Sequence, residues 1–237
     1  AGTNFTLIYF GLKLKFKKLL KNDEFKWYIS ALAIVIVALS LFHFLTVNSS
    51  NLLNSFRVIS FQVVSIITTT GYATADYTLW GSFLSFIFFL FLFSGASAGS
   101  TSGGIKIVRI VLLMKNSLLE FKRRLHPKAI IPLILNGKTV SGQITYNLLA
   151  FIFLYLFIFT VGSLILTFIG VDFLTSISAV ASAIGNVGPG IGSVGPAASF
   201  AHLPDLGKWV LSILMLMGRL ELFTVCLLLT PYFWKRI

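Results

Sequence analysis

The fold is decided by the stretch Asn51-Leu-Leu-Asn-Ser-Phe-Arg-Val-Ile-Ser-Phe-Gln-Val-Val-Ser-Ile-Ile67, which continues directly into Thr68-Thr-Thr-Gly-Tyr72. Asn51 is suited to capping the start of a helix, and the apolar run after it is too short to cross a bilayer. The polar, glycine-containing end predicts an extended return. We interpret the stretch as a re-entrant hairpin, in which a short helix enters from outside and ends near mid-membrane with the negative end of its dipole facing inward.

The same pattern occurs a second time, which makes it an internal repeat. Asp172-Phe-Leu-Thr-Ser-Ile-Ser-Ala-Val-Ala-Ser-Ala-Ile184 is followed by Gly185-Asn-Val-Gly-Pro-Gly190. An ordinary loop on the membrane surface would explain one such stretch, but two in register favour paired hairpins. Backbone carbonyls of such strands can replace the hydration shell of a cation, and glycine permits the φ values that aim them.

Long apolar runs flank the two hairpins. Trp27–Thr46 and Phe151–Ile169, the latter extended back to about Thr145, each predict one crossing, and Lys208–Trp234 predicts a third that contains Arg219 and Glu221. The chain is 57% hydrophobic and only 11% charged, which excludes an ordinary soluble enzyme. We therefore predict an all-α membrane protein built from tandem membrane–pore–membrane repeats with re-entrant pore helices.

One predicted membrane helix is interrupted. The apolar run Phe83–Phe93 spans 11 residues, Ser94–Gly104 consists of small residues, and Ile105–Met114 is apolar again except for Lys106 and Arg109. Irregular backbone at membrane depth is tolerated only where protein buries it or where it lines a water-filled cavity. The pattern predicts a helix broken at its middle by a small-residue loop.

The net charge of +12 arises mainly from basic residues whose distribution predicts the orientation of the chain in the membrane. Sixteen of the 19 Lys and Arg residues fall in 13–26, 106–138 and the tail at Lys235 and Arg236, and the positive-inside rule assigns these connections to the cytoplasm. The opposite connections contain Arg57 and three aspartates. A nucleic-acid partner is not expected, because the basic residues lie beside membrane spans.

No residue grouping indicates catalysis. Cys226 is the single cysteine, no Cys/His spacing predicts a metal site, and no charge pair is expected at membrane depth. His43 is expected to be packed or interfacial. We predict that the chain is not an enzyme and carries no covalently bound cofactor.

Four motifs in order resemble the Trk/Ktr/HKT potassium-transporter superfamily, and most closely its bacterial TrkH-type membrane subunit. They are Thr68–Tyr72, Gly95-Ala-Ser-Ala-Gly-Ser-Thr-Ser-Gly-Gly-Ile-Lys106, Gly185–Gly190 and Gly218-Arg219. The resemblance implies a potassium-channel-like fold with four repeats around one pore, of which this chain would hold the third and fourth. It also implies that a longer protein precedes Ala1.

The resemblance implies a potassium filter formed mainly by backbone carbonyls. Aligning Gly71 with Gly188 pairs the two strands, and a serine at the position of either glycine admits sodium in some relatives. The third strand would consist of Thr69, Thr70, Gly71 and Tyr72, and the fourth of Asn186, Val187, Gly188 and Pro189.

The resemblance also implies an intramembrane gate at 94–104, with Arg219 facing the pore beside it. The gating residues would be Gly95, Gly99, Ser100, Thr101, Gly103, Gly104, Lys106 and Arg219. Two alternatives remain: the glycines Gly95, Gly99 and Gly103 also fit a helix-packing pattern, and Lys106 and Arg109 could snorkel to the cytoplasmic interface. A local Arg219–Glu221 pair is disfavoured, because residues two apart on a helix point about 200° apart.

The predicted boundaries are 1–26 for the end of a preceding membrane helix and a basic linker, 27–124 for one repeat, 125–143 for a cytoplasmic linker and 144–237 for the next repeat. By resemblance, the partners are membrane lipid, a second copy in a homodimer and a cytosolic nucleotide-binding regulatory subunit. The location would be the cytoplasmic (inner) membrane. A secondary solute transporter and a non-conducting membrane assembly subunit are the alternatives.

Overall fold

The computed structural model describes residues 2–15, 17, 19, 22–47, 51–129, 131–228 and 230–234. Two helical repeats follow one another in this part of the chain. Among the basic residues that set the predicted orientation, Lys18, Lys21, Lys235 and Arg236 lie outside it.

The first repeat follows a short helix and ends in a broken helix. Its elements are α1 (Phe5–Leu12), α2 (Asp23–Thr46), α3 (Leu52–Ile67), a 3₁₀ turn (Tyr77–Trp80), α4 (Ser82–Phe91), β1 (Ser94–Gly95), β2 (Ile105–Lys106) and α5 (Ile107–Leu125).

The second repeat follows an antiparallel hairpin. Its elements are β3 (Leu133–Leu135), β4 (Lys138–Val140), α6 (Gly142–Phe168), α7 (Phe173–Gly185), 3₁₀ turns at Gly192–Val194 and Phe200–His202, α8 (Asp205–Arg219), α9 (Leu222–Leu228) and α10 (Pro231–Trp234).

Within the residues that the structure describes, α2 and α6 are long and apolar enough to cross a membrane, and α8 with α9 would be a third span if that bent pair is counted as one. With 24 and 27 residues, α2 and α6 measure about 36 and 40 Å. α2 starts four residues earlier than the apolar run predicted, because the Asn22 side chain accepts a hydrogen bond from the Phe25 amide (3.0 Å) and the acidic residues Asp23 and Glu24 suit a helix N-terminus. Large apolar side chains on α6 face outward, such as Phe168 at 93% exposure, as a lipid-facing surface requires.

The two short helices begin where the sequence predicts. The Asn51 side chain accepts from the Leu53 amide (3.1 Å) at the start of α3, and Asp172 accepts from the Thr175 amide (3.3 Å) at the start of α7. At 16 and 13 residues, neither helix is long enough to cross a bilayer. This confirms the repeated long-helix, short-helix pattern.

The hydrophobic cores of the two repeats interlock. The core around α2, α3 and α4 includes Val187 and Ile191 from the second repeat, and the core around α6, α7 and α8 includes Ile105 from the first. Phe93 and Phe159 join the two, with ring centroids 5.0 Å apart. The repeats are therefore fixed relative to each other by buried side chains beside the predicted filter.

The third predicted span, Lys208–Trp234 with Arg219 and Glu221 inside it, is not straight but sharply bent. Helix α8 ends at Arg219, Glu221 takes a left-handed φ of 66°, and α9 starts after a bend of 111°. On a continuous helix, Arg219 and Glu221 would point to different sides, one of them into apolar surroundings. The break instead brings both side chains to one polar cavity, which reduces the cost of placing two ionisable groups in this segment.

Candidate functional site

The two predicted filter strands have matching backbone conformations. Thr69 and Asn186 both have φ of 53°, and two residues later Gly71 and Gly188 have φ of 79° and 121°. Positive φ is uncommon for residues other than glycine, so its recurrence at equivalent positions supports the predicted alignment. The two strands are repeats in conformation as well as in sequence.

The strands lie side by side. A Cβ atom on Gly71 would overlap the carbonyl oxygen of Val187 and contact Pro189 Cδ at 3.4 Å. A Cβ atom on Gly188 would come no closer than 3.6 Å to Gly71 Cα. The structure thus brings the predicted residues of both strands together, and the contact at Gly71 leaves no space for a side chain.

Two serines that the sequence analysis did not name form hydrogen bonds to the backbone of these strands. The Ser65 hydroxyl donates to the Tyr72 carbonyl (2.6 Å), and the Ser182 hydroxyl donates to the Gly188 carbonyl (2.9 Å) while accepting from the Gly188 amide (3.1 Å). Each serine stands six residues before the glycine of its strand. The alignment of the repeats already contained this signal.

Several carbonyl oxygens of the strands have no protein donor. Among the described residues, none of the hydrogen bonds ends on the carbonyl oxygens of Thr69, Thr70, Gly71, Asn186, Val187 or Pro189. Thr70 and Gly188 are exposed and Thr69, Gly71, Asn186 and Pro189 are half-exposed, so their carbonyl oxygens are open to water or to an ion. Unpaired carbonyl oxygens on two adjacent strands are the arrangement that a dehydrated cation requires.

A buried tyrosine ties the two hairpins together. The Tyr77 side chain is fully buried, stacks on Phe88 with ring centroids 4.8 Å apart, and donates its hydroxyl to the Gly190 carbonyl at 2.7 Å. Burial, and to a smaller degree the Asp76 carboxylate, raises the pKa of Tyr77. The hydroxyl therefore remains protonated and keeps its role as donor.

We expect Tyr77→Phe to destabilise the protein by about 1 to 2 kcal/mol, because the Gly190 carbonyl loses its buried partner. Tyr146→Phe is the matched control, since Tyr146 is 71% exposed. Thermal unfolding of the full-length subunit in detergent should give a midpoint lower for Tyr77→Phe by about 2 °C or more. Equal midpoints would contradict the structural role of the bond.

The small-residue loop lies against the end of α7. Its ends are joined as a parallel pair, Ser94 with Ile105 and Gly95 with Lys106. Gly103 packs directly on the Gly185 carbonyl, and Gly218 of α8 packs on the Ile184 carbonyl. A helix-packing face at Gly95, Gly99 and Gly103 would need a helix, and residues 96–104 contain none. That alternative is therefore wrong: Gly95 and Gly103 lie against the backbone carbonyls of Gly103 and Gly185, and Gly99 lies against the Asn4 side chain.

Two cationic side chains bind the backbone of this loop. Lys106 Nζ donates to the Ser100 carbonyl (3.2 Å), to the Ser102 carbonyl and to the Ser102 hydroxyl (3.0 Å). Arg219 donates to the Thr101 carbonyl. Lys106 thus folds back onto the loop instead of extending to the interface. Of the predicted gating residues, Gly99 lies apart, against Asn4.

A polar cavity of about 280 Å³ opens beneath the loop. Glu221 pairs there with Arg109 (3.5 Å), and the Arg109 guanidinium lies over the Phe151 ring at 3.8 Å. The sequence analysis expected no charge pair at membrane depth, and this pair corrects that expectation; its members are 112 positions apart, so no local pattern revealed it. The cavity is lined by Ser100, Thr101, Ser102, Gly104, Lys106, Arg109, Phe151, Tyr155, Ile184, Gly218, Arg219, Glu221 and Leu222.

A family model described as TrkH, cation transport protein, matches residues 19–235. The chain is 38% identical over 219 residues to the Trk system potassium uptake protein TrkI of Halomonas elongata, which covers 92% of this chain and 44% of that protein. It is 34% identical over 236 residues to TrkG of Escherichia coli, covering 99% and 48%.

The fold is similar to the crystal structure of the potassium transporter TrkH from Vibrio parahaemolyticus. The TM-score is 0.91 at 35% sequence identity, over 99% of this chain and 50% of that one. The chain therefore spans about half the length of the relatives that it matches.

Proposed function

This chain belongs to the TrkH family of cation transport proteins, and from that premise we propose that it forms two of the filter strands and the gate of a potassium-uptake subunit. The subunit would cross the cytoplasmic (inner) membrane several times. The observation that carries the proposal is the close pair of glycine strands, whose carbonyl oxygens, except those of Tyr72 and Gly188, accept no hydrogen bond from the described residues. The strands lie next to a loop that is bound by the cationic side chains of Lys106 and Arg219.

The filter would act through backbone geometry. A cation that enters between the strands exchanges water for carbonyl oxygens, and the exchange favours one ion only if the oxygens stay at fixed positions. The serine hydroxyls at Ser65 and Ser182 and the buried Tyr77 bond supply that rigidity. Gly71 allows the strands to lie close together, and Gly188 takes a φ of 121° that favours glycine.

The gate would be the loop at 94–104. The Lys106 and Arg219 side chains donate hydrogen bonds to its carbonyls at Ser100, Thr101 and Ser102. The positive charges of these two side chains also lie on the conduction path beneath the filter. Potassium ions are repelled while the loop holds this position. Displacement of the loop would release both the steric and the electrostatic barrier.

We expect Gly188→Ser to raise sodium permeability relative to potassium by about tenfold, since a side chain at φ 121° adds about 1 to 3 kcal/mol of strain to the strand. Gly170→Ser is the matched control, because Gly170 has φ of 98° and nothing lies within 4 Å of its Cβ position. The measurement is cation competition for uptake by the full-length subunit in a potassium-uptake-deficient strain. A potassium preference retained by Gly188→Ser would count against the filter assignment.

The assembly would contain further parts. We include in the proposal a homodimer and a cytosolic nucleotide-binding regulatory subunit, as the resemblance implies. The basic end of α5, with Lys122, Arg123 and Arg124, suits either a regulatory partner or anionic lipid headgroups. Copurification with a tagged full-length subunit, with and without added nucleotide, tests for a second copy of the subunit and for the regulatory subunit.

A further inference from the structure

The loop at 94–104 has a third ionisable contact, of opposite sign to the other two. Glu24, in the first turn of α2, accepts a hydrogen bond from the Ala98 amide at 2.6 Å through Oε1. The residue is only 7% exposed. A carboxylate therefore binds an amide of the loop, whereas Lys106 and Arg219 bind its carbonyls. Because the three side chains come from three separate elements, the position of the loop depends on how those elements are placed.

The residue before Glu24 is bound to a different part of the protein. The Asp23 amide donates to Asn136 Oδ1 at 2.6 Å, and the Asn136 amide donates to Asp23 Oδ2 at 2.8 Å. Asn136 and Gly137 form the turn of the β3–β4 hairpin, with φ of 50° and 73°. This reciprocal pair fixes the hairpin to the start of α2.

Asp23 and Glu24 are neighbours in the first turn of one helix, so they move as a unit. One side chain holds the hairpin between the two repeats, and the other holds the loop under the filter. The hairpin lies on the side that the basic residues assign to the cytoplasm, where it is accessible to other molecules: Lys138 and Thr139 are exposed. A displacement of the hairpin therefore reaches the Ala98 amide through two hydrogen-bonded steps.

We propose that Asp23 and Glu24 couple the β3–β4 hairpin to the intramembrane loop, with Glu24 as a positioning residue that holds the loop in its closed place. This rests on the proposed function of the loop as a gate. A force on the hairpin pulls the N-terminus of α2, weakens the Glu24–Ala98 bond and favours opening. A molecule that binds and displaces the hairpin at the cytoplasmic face would thereby change conduction.

The test measures rubidium flux into liposomes that contain the full-length subunit. Asn136→Gly removes the Oδ1 acceptor but tolerates φ 50°, and Glu24→Ala removes the acceptor of the Ala98 amide. We expect basal flux to rise about threefold for Asn136→Gly, because the start of α2 that carries Glu24 is then held less firmly, and about tenfold for Glu24→Ala, because the Ala98 amide loses its acceptor. Lys138→Ala is the matched hairpin control and should leave the flux unchanged.

The decisive result is the interaction between the two changes. If the hairpin acts on the loop through Glu24, the double variant Glu24→Ala/Asn136→Gly has the flux of Glu24→Ala alone, because the hydrogen bond that connects the hairpin to the loop is already absent. Two independent effects would multiply instead, and that result overturns the coupling. Glu24→Gln keeps an acceptor oxygen, so its flux should stay within about threefold of the unmodified protein.

A loop-shortened subunit that lacks residues 98–101 separates this proposal from the proposed gate. If shortening raises flux while Asn136→Gly has no effect, the gate stands and the coupling is overturned. If shortening leaves flux unchanged, the gate assignment fails and the coupling fails with it. Should Glu24→Ala not reach the membrane, Asn136→Gly in the shortened background still decides, because coupling predicts that its effect disappears there.

Discussion

Gly71→Ala is expected to reduce potassium uptake by the full-length subunit by about a hundredfold or more. A methyl group at Gly71 would overlap the Val187 carbonyl oxygen of the neighbouring strand, so the strands must separate by about 1 Å to restore ordinary carbon–oxygen contact. The same shift displaces the unpaired carbonyls that would coordinate the ion. Displacements of this size in a preorganised site cost about a hundredfold in function.

Gly81→Ala is the matched control for Gly71→Ala. Gly81 has φ of 96°, so alanine introduces comparable backbone strain there, but nothing lies within 4 Å of its Cβ position. Backbone strain costs each variant about 1 to 3 kcal/mol, but the overlap with the neighbouring strand occurs only in Gly71→Ala, so only Gly71→Ala should lose uptake. Growth of a potassium-uptake-deficient strain on low potassium, with membrane amounts measured by immunoblot, separates the two effects. Equal growth of both variants would contradict close packing of the filter strands.

The hairpins were predictable because local rules decide them. A capping residue, a short apolar run and a glycine-containing end are read from consecutive residues, and the structure places Asn51 and Asp172 as caps. The repeat added information that one copy lacked, since it identified Gly71 and Gly188 as equivalent. Their shared positive φ confirms that equivalence.

The contacts of the loop could not be predicted in the same way. Glu24 and Ala98 are 74 positions apart, and Arg219 and Thr101 are 118 apart. No periodic pattern connects residues at such distances, because the pairing depends on how the repeats pack. The sequence indicated that Arg219 needs a polar partner, but the identity of that partner depends on tertiary structure.

The break after Arg219 is an intermediate case. The apolar run Lys208–Trp234 contains no proline or glycine between Arg219 and Leu228, so its pattern favours a continuous helix. The two ionisable residues in that run, Arg219 and Glu221, argued against a straight apolar helix, because each needs a polar environment. A helix break satisfies both residues, through the Thr101 carbonyl for Arg219 and through Arg109 for Glu221.

Arg219→Ala is expected to raise cation flux through the full-length subunit by about ten- to a hundredfold. The substitution removes the charged hydrogen bond to the Thr101 carbonyl, and such bonds stabilise by about 1.5 to 3 kcal/mol. It also removes one positive charge from the cavity beneath the loop. Both changes favour conduction, so rubidium uptake by proteoliposomes should increase. Lys128→Ala, at an exposed position after α5, removes an equal charge away from the cavity and should have no effect.

Arg219→Lys separates the two contributions. Lysine keeps the charge but loses the planar guanidinium and some reach, so a purely electrostatic barrier predicts flux as low as in the unmodified protein. A contribution from the bond to Thr101 predicts an intermediate flux.

Removing residues 98–101 from the loop should raise flux by itself, and Arg219→Ala should then add little, because its partner is gone. Unchanged flux in both Arg219→Ala and the shortened protein would refute the gate, since neither the charge nor the loop would then limit conduction.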